Sequence, residues 1–410
     1  VNYVVIGAGF GDEGKGLITD YLSRKEFPAT VVRFNGGAQA GHTVVDGNRR
    51  HVFSHVGAGT FAGAATFLSS NFITNPFMLH RELDVLRTQM ADAIVQPQVE
   101  VHPHAEVTTA FDIVLNRLRE LSRGSGRHGS CGMGINDTIT RKLAGFSLTV
   151  EDLTDERFWK KLQHTYKNYW KIELGKFNSS DPEVEKLLDA VDLLNEGQSL
   201  RAAAEVFSKI TPRPRSDDKQ FVFEGAQGLQ LDEFLGKFPH VTRSVTGLPT
   251  ALLAAREVGV QELSPVYVTR CYKTRHGAGH LLHEGEKFSS TEIVDATNVT
   301  GEWQGHFRYA PLDTRVLQQF IEADLQRSKP LAELLGIKIN APSLAVTCFD
   351  QVSADFSFYD DRGGWQQSAE ALIQTLDRFL PVKYVSYGPS ANHINEIDSS
   401  HRAGVRRECA

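Results

Sequence analysis

The chain has 410 residues, 41% of them hydrophobic and 23% charged, which fits a folded globular protein and excludes a disordered or collagen-like one. Its net charge of −6 gives no global attraction to nucleic acid or to an acidic membrane surface, so a polyanionic ligand would need a local cationic site. Four widely spaced cysteines without a C-x-x-C pair exclude a zinc centre and a dense disulfide framework, and a reducing cytoplasmic compartment is the expected setting.

In chain order, glycine-bounded runs of β-branched and aromatic residues predict strands at Asn2–Ile6, Thr30–Phe34, Phe221–Phe223, Pro265–Thr269, Ser343–Thr347 and Val382–Ser386. Helical periodicity falls between them, at Val107–Leu121, Pro182–Leu194, Ser199–Ile210, Pro249–Val258 and Ser368–Phe379. This alternation predicts an α/β fold with a mostly parallel central sheet of P-loop-like type flanked by helices. Residues 153–218 are helix-rich and polar and end in TPRPRSDD, so they read as a helical insertion within a single domain spanning 1–410. Arg275 to Asp313 is rich in Gly, His and Thr with weak periodicity, which predicts long active-site loops. The opening VNYVVIG is strand-like rather than a basic segment followed by an apolar one, and no run of about eighteen apolar residues occurs, so neither secretion nor membrane insertion is expected.

The sharpest local signal follows the first strand. VVIGAGFGDEGKG sets Gly9, Gly14 and Lys15 in the G-x-x-x-x-G-K spacing of a phosphate-cradling loop, with Gly14 and Gly16 letting backbone approach phosphate and Lys15 supplying charge. The hydroxyl residue that usually follows the Lys is replaced by Gly16, while Asp12 and Glu13 add carboxylates suited to a metal ion or to proton transfer. A second glycine-rich loop, FNGGAQAGHTVV, ends in Gly41-His42-Thr43. It follows the next strand, where a parallel sheet brings strand ends together and where His42 is placed to donate a proton.

With GDEGKG, NGGAQAGHT and, further on, FEGAQGLQLD, FPHVTRS, TRCYKTRHGAG, VTG and YGPS in the same order, the sequence resembles the adenylosuccinate synthetase family along nearly its whole length. The resemblance implies a ligase that phosphorylates the 6-oxo group of a purine 5′-nucleotide and displaces that phosphate with the amine of L-aspartate. Asp12 would take the N1 proton and hold Mg²⁺ with the Gly41 carbonyl, and His42 would stabilise charge at O6, with Lys15 completing the catalytic group. The nucleoside triphosphate would meet Gly11, Glu13, Gly14, Lys15, Gly16, Gly41, His42 and Thr43, with its base at Asp350, Ser386, Gly388 and Pro389. The purine nucleotide would meet Asp12, Gln39, Ser130 and Cys131 of the 129–132 turn, Gln227 and Thr242. Its 5′-phosphate would also take Arg141 from a partner subunit, which implies a homodimer. Thr300, Gly301 and Arg308 would bind the amino acid. No nucleic-acid or membrane partner is implied.

Three departures qualify the transfer. The purine-contacting Asn before Ala-Gly-His is Gln39. The arginine-rich block after TGR reads TGEWQGHFR, which depletes the carboxylate grip to Arg308 and turns attention to Arg243, Arg270 and Arg275. The base-reading Lys is Cys348. These features resemble a phage-type branch that makes 2-aminoadenylosuccinate from (d)GMP with ATP, and a phage origin would place the protein in the host cytoplasm. That branch replaces the loop Asp by a small residue, so retaining Asp12 favours IMP and retaining Asp350 favours GTP. Two further classes remain as alternatives: a plain P-loop kinase or NTPase, and a non-catalytic nucleotide-binding relative.

Overall fold

A β-branched run can be apolar on both faces only where helices cover both sides of its sheet, and six such runs here do line one sheet. The structure is a computed structural model that describes residues 1–126, 129–177, 180–208, 220–291, 293 and 306–397. Ten strands form the main sheet. Across it run Ile394–Glu396, Val382–Ser386, Ser343–Thr347, Glu262–Arg270, Tyr3–Gly7, Gln220–Gly228, Ala29–Arg33, Ala65–Leu68 and Val99–Val101, with Lys338–Ile339 beside Glu262–Arg270. All of these pairings are parallel except the one at the edge between Val382–Ser386 and Ile394–Glu396. Tyr3 registers with Val222 on one side and Ser264 on the other, so the first strand lies at the centre and its outgoing loop opens between two neighbours. In such sheets ligands gather at the carboxyl ends of the strands, the edge from which Ala8–Gly14, Asn35–Gly41, Leu229–Leu231 and Tyr272–His276 emerge.

The six predicted strands are present, two of them, Ser343–Thr347 and Val382–Ser386, with the predicted bounds. The helices follow with small shifts: Ala110–Ser122 opens on a capping box between Thr109 and Asp112, Leu248–Glu257 begins beside a proline, and Ala369–Asp377 is capped by Ser368. Pro182–Leu194 and Ser199–Ile210 divide differently, into Pro182–Asp189 and Leu193–Ser208, because the Asp192 carboxylate accepts from the Asn195 amide and starts the second helix early. A 22-residue helix, Thr314–Leu335, adds to the reading; Asp313 caps it by accepting from the Arg315 amide at 3.0 Å.

Helical structure begins before Leu153, at Ile135–Leu143. Phe158, Leu162, Trp170 and Leu200 share one buried cluster with Phe53, Phe72, Leu79 and Phe111, so these helices pack onto the body of the fold. Within the expected loop region, Tyr272–His276 pairs antiparallel with Phe307–Pro311; Thr300 and Gly301 lie outside the described residues. Among the described residues no helix is long and apolar enough to cross a membrane.

Candidate active site

The phosphate loop is held from inside. Glu13 is buried, and its carboxylate accepts from the amides of Gly9 at 2.9 Å and Gly11 at 2.7 Å. Lys15, also buried, donates to the Gly11 carbonyl at 2.8 Å and pairs with Glu13 at 3.2 Å. The expectation that Glu13 suits a metal ion is therefore corrected: its oxygens are spent on loop amides and on Lys15, and it shapes the cradle instead. Gly14 is the left-handed residue at φ 87° that starts the helix Lys15–Lys25. Gly16 explains the missing hydroxyl, because a Cβ there would lie 2.9 Å from the Cβ of His42. The first loop thus lacks a side chain so that the second can close on it.

Asp12 faces the other way. Its carboxylate has no hydrogen-bond partner among the described residues, and its carbonyl accepts from the Arg270 guanidinium. Burial pushes the carboxyl up to about 6, Glu13 adding to the rise while Arg270 and Lys15 oppose it. That value leaves Asp12 ionised at neutral pH yet basic enough to take a proton. The unengaged Asp12 carboxylate and the carbonyl of exposed Gly41 are hard oxygen ligands of the kind Mg²⁺ takes. No group of three acidic, His or Cys side chains gathers among the described residues.

His42 begins a hairpin strand, His42–Asp46, whose Val45 bridges to Ser390 at the far side of the loop cluster. Its Nδ1 lies 2.5 Å from Oε1 of Glu224, both side chains being buried. Glu224 also accepts from the Ala58 amide at 3.1 Å and has Arg33 at 3.8 Å, and these partners hold its carboxyl below the ordinary range against the cost of burial. Ionised Glu224 fixes the Nδ1–H tautomer, so Nε2 carries the lone pair. Burial, with Arg33 and Lys15 adding to it and Glu224 opposing, pushes His42 down to about 4. Lys15 thus bears on both Asp12 and His42.

Buried polar atoms without partners mark where a ligand belongs. Among the described residues His42 Nε2, both amide atoms of Gln39 and the hydroxyl of Thr43 are in this state, and all lie within five residues of one another where the second glycine-rich loop runs into its strand. The Gln39 amide folds back over Gly36 and Gly37, which is how the longer side chain is accommodated. Across from it Gln227 takes a left-handed φ of 63° and packs against Gly11. Thr242 is tied by its amide to the Leu231 carbonyl at 2.7 Å.

The remaining predicted residues divide. Ser130 donates to Asn116 at 2.8 Å and accepts from the Gly132 amide, giving an ordered turn; burial raises the Cys131 thiol to about 11, so it stays protonated. Asp350 is exposed just past Ser343–Thr347, beside the neighbouring strand end where Ser386 bonds the Gly388 carbonyl at 2.7 Å and Pro389 is exposed. Phe349 and Tyr387 stack between them at 5.3 Å, joining the two halves of the predicted triphosphate-base site. Arg141 is corrected. It is fully buried, paired with Asp112 at 3.1 Å and donating to the carbonyls of Phe146 and Val107, so it braces its own subunit and does not project toward a partner. Arg308 donates to Glu284 and to the carbonyls of Gly277 and Gly279. Arg243 is spent on Thr140 and Asn136, and Arg275 on the carbonyls of Ala278, His280 and His240.

Glu224 and Arg33 were missed, although an acid and an arginine inside the apolar runs FVFEG and VVRF were the signal. Lys273 was missed as well. Arg270 donates to the Asp12 carbonyl, and Lys273 and Arg275 lie over the Phe10 ring, so three cationic side chains adjoin the phosphate loop of a chain whose net charge is −6.

A parallel α/β sheet with a phosphate loop at its central strand defines a nucleotide-binding enzyme fold. The family model for adenylosuccinate synthetase matches residues 4–323, and the chain belongs to that family, whose members form C–N bonds. It is similar to the adenylosuccinate synthetase of Thermoplasma volcanium, 32% identical over 324 residues covering 78% of this chain and 72% of that one. It is also 31% identical to the Neisseria meningitidis enzyme over 343 residues, 82% of this chain and 76% of that one. Among solved structures, the fully ligated adenylosuccinate synthetase of Plasmodium falciparum aligns with a TM-score of 0.71 at 16% identity, covering 97% of this chain and 100% of that one. The succinoaminodeoxyadenylate synthetase of cyanophage S-2L, bound to dGMP and dATP, aligns with 0.58 at 15% identity over 100% and 99% of the two chains. Both of these structural likenesses are likenesses of fold.

Proposed function

We propose that the protein condenses IMP with L-aspartate to give adenylosuccinate, using GTP to phosphorylate O6 and Mg²⁺ to hold the triphosphate. Asp12 removes the N1 proton, the electron pair moves to O6, and O6 attacks the γ-phosphorus while the β–γ bridging bond breaks. The aspartate amine then adds at C6 and the C6–O bond breaks, releasing phosphate, a better leaving group than hydroxide. His42, held by Glu224, presents Nε2 to O6; an incoming triphosphate raises the imidazole's proton affinity and lets it act as the donor. Mg²⁺, on Asp12 and the Gly41 carbonyl, would neutralise phosphate charge as transfer proceeds.

The observation that carries this reading is the set of buried, partnerless polar atoms of Gln39, His42 and Thr43 beside a loop whose Asp12 carboxylate is also unengaged. A kinase that phosphorylated an alcohol would use one base for the hydroxyl proton and would leave the His42 imidazole without a carbonyl oxygen to stabilise. The alternative reading takes (d)GMP with ATP, and it is favoured by Cys348 standing where a base-reading Lys is expected and by the nucleotides of the cyanophage structure. Asp12 favours IMP, since it supplies the base for N1, and exposed Asp350 offers an acceptor to the N1 and N2 protons of guanine in GTP. We read residues 1–410 as one domain carrying 153–218 as an insertion, and the assembly as a cytoplasmic homodimer with no nucleic acid or membrane partner. Exposed Leu143 at the end of the Arg141 helix would be among the side chains a second copy covers. Incubating the protein and Mg²⁺ with aspartate and each pairing of IMP, dIMP, GMP or dGMP with ATP or GTP, and weighing the products, tests the reading. Succinylated product from IMP with GTP is the expected result; nucleotide hydrolysis without any succinylated product would refute it.

A further inference from the structure

The depleted arginine block leaves an open question of charge. Arg308, Arg243 and Arg275 are each committed to carbonyls, amides, hydroxyls or surface carboxylates, whereas a dicarboxylate amine donor brings two anionic groups into this pocket. Lys273 sits on the strand Tyr272–His276, opposite Ala310 in the antiparallel pair that also carries Arg308. Residues two apart on a strand share a face, and Lys273 and Arg275 both lie over the ring of Phe10, at 5.5 and 4.3 Å, two residues before Asp12. Among the described residues the Lys273 ammonium makes no hydrogen bond and no ion pair; its close contact is the Phe10 ring.

We propose that Lys273 is the specificity-determining cation that grips a carboxylate of the amine donor, in place of the depleted arginines; this rests on the ligase reading above and names the residue that selects its third substrate. Burial lowers Lys273 to about 8 even though Glu13 and Asp313 pull the other way, so the fold holds this charge without the partner that would normally accompany it. An ammonium is a point charge without a fork, so the site gains attraction for an anion but less planar selection than an arginine pair would give. The Phe10 ring keeps the ammonium beside the loop and shields one side from water, which strengthens a charge-assisted bond to an entering carboxylate.

The test is steady-state kinetics of Lys273→Met and Lys273→Arg, with aspartate, IMP and GTP varied in turn, together with calorimetric titration of aspartate into each protein loaded with nucleotide. Lys273→Met is expected to raise the KM for aspartate by roughly 10- to 100-fold, the loss of one charged hydrogen bond, with the KM values of both nucleotides within about twofold of the parent. Lys273→Arg should recover most of the aspartate affinity. An unchanged aspartate KM in Lys273→Met, or a rise confined to GTP, would overturn the proposal. If the parent protein turns over no amino acid at all, the ligase reading fails on its own, and the calorimetry still decides Lys273. Aspartate bound by the parent and at least tenfold more weakly by Lys273→Met upholds the role; equal binding, or none by the parent, ends it. A melting temperature and nucleotide affinity matching the parent's establish that the Met variant is folded.

Discussion

His42 Nδ1 and Glu224 Oε1 stand 2.5 Å apart in a region closed to solvent, joining the second glycine-rich loop to a central strand of the sheet. The pair sets which imidazole nitrogen is left for a substrate, so the catalytic geometry is fixed from behind by a residue that need not touch the reacting atoms.

Glu224→Gln should therefore lower kcat by about 10²-fold or more while leaving nucleotide dissociation constants within a few-fold, because the amide can present either a donor or an acceptor to Nδ1 and no longer enforces one tautomer. Calorimetric binding of IMP and GTP beside turnover checks both halves. Wild-type kcat in this variant would remove Glu224 from the account.

Asp12 and His42 make opposite contributions to the pH dependence of stability. The Asp12 carboxyl is raised to about 6 in the fold, so its ionised form opposes folding: the cost is absent below about pH 4 and complete above about pH 6. Asp12→Asn should raise the melting temperature at pH 7.5, by the equivalent of about 1–2 kcal/mol after allowance for solvent screening, and lose that gain at pH 4. The same variant should lose turnover. Melting curves at the two pH values would contradict the burial argument if the gain were larger in acid.

His42 is held neutral by burial at about 4, so the stability its neutral form lends is complete above the unfolded value near 6.5 and is lost as pH falls toward 4. Triphosphate binding should move the imidazole titration upward, toward neutrality, in an NMR titration of His-labelled protein. A His42 resonance whose midpoint does not move on adding nucleotide would leave the donor role without a proton.

Gly16→Ser would restore the hydroxyl usual in a phosphate loop, yet its Cβ would meet the His42 Cβ at 2.9 Å, with backbone of residues 42 and 43 at 3.3 Å behind it. Displacing that strand should cost about 1–3 kcal/mol and lower kcat with it, read by denaturant unfolding and turnover. A fully active, equally stable Gly16→Ser would mean the two loops do not need their close approach.

Arg141→Ala should destabilise the subunit by about 3–5 kcal/mol, since it strips Asp112 of its buried partner. Mixing it with an Asp12→Ala chain should not regenerate activity in hybrid dimers. Regenerated activity would reinstate Arg141 as a residue that crosses between subunits.

Much of this was legible in the residues because parallel strands and phosphate loops write themselves locally. Ser343–Thr347 is buried throughout, with an apolar Leu344–Val346 centre, since both of its faces are covered, and the spacing of Gly9, Gly14 and Lys15 is dictated by the turn itself. What was not legible depends on contacts, within a loop or between distant segments, that the linear pattern does not show. Glu13 reads as a free acid until the amides of Gly9 and Gly11 are seen to claim it, and Arg141 reads as a surface arginine until Asp112, 29 residues away, is found beside it. The short edge strands Val99–Val101 and Ile394–Glu396 carry too few residues to show a period. Lys273 escaped for another reason: a lysine in a strand is ordinarily a solvated edge residue, and only the Phe10 ring and the lack of an ion pair among the described residues single it out.

The most direct measurement follows the oxygen atom. With IMP carrying ¹⁸O at position 6, GTP and aspartate, the account predicts that the phosphate released in a single turnover bears the label, because O6 itself attacks the γ-phosphorus and leaves with it. Unlabelled phosphate accompanying labelled, unchanged IMP would show that water receives the phosphoryl group and that the base is never activated.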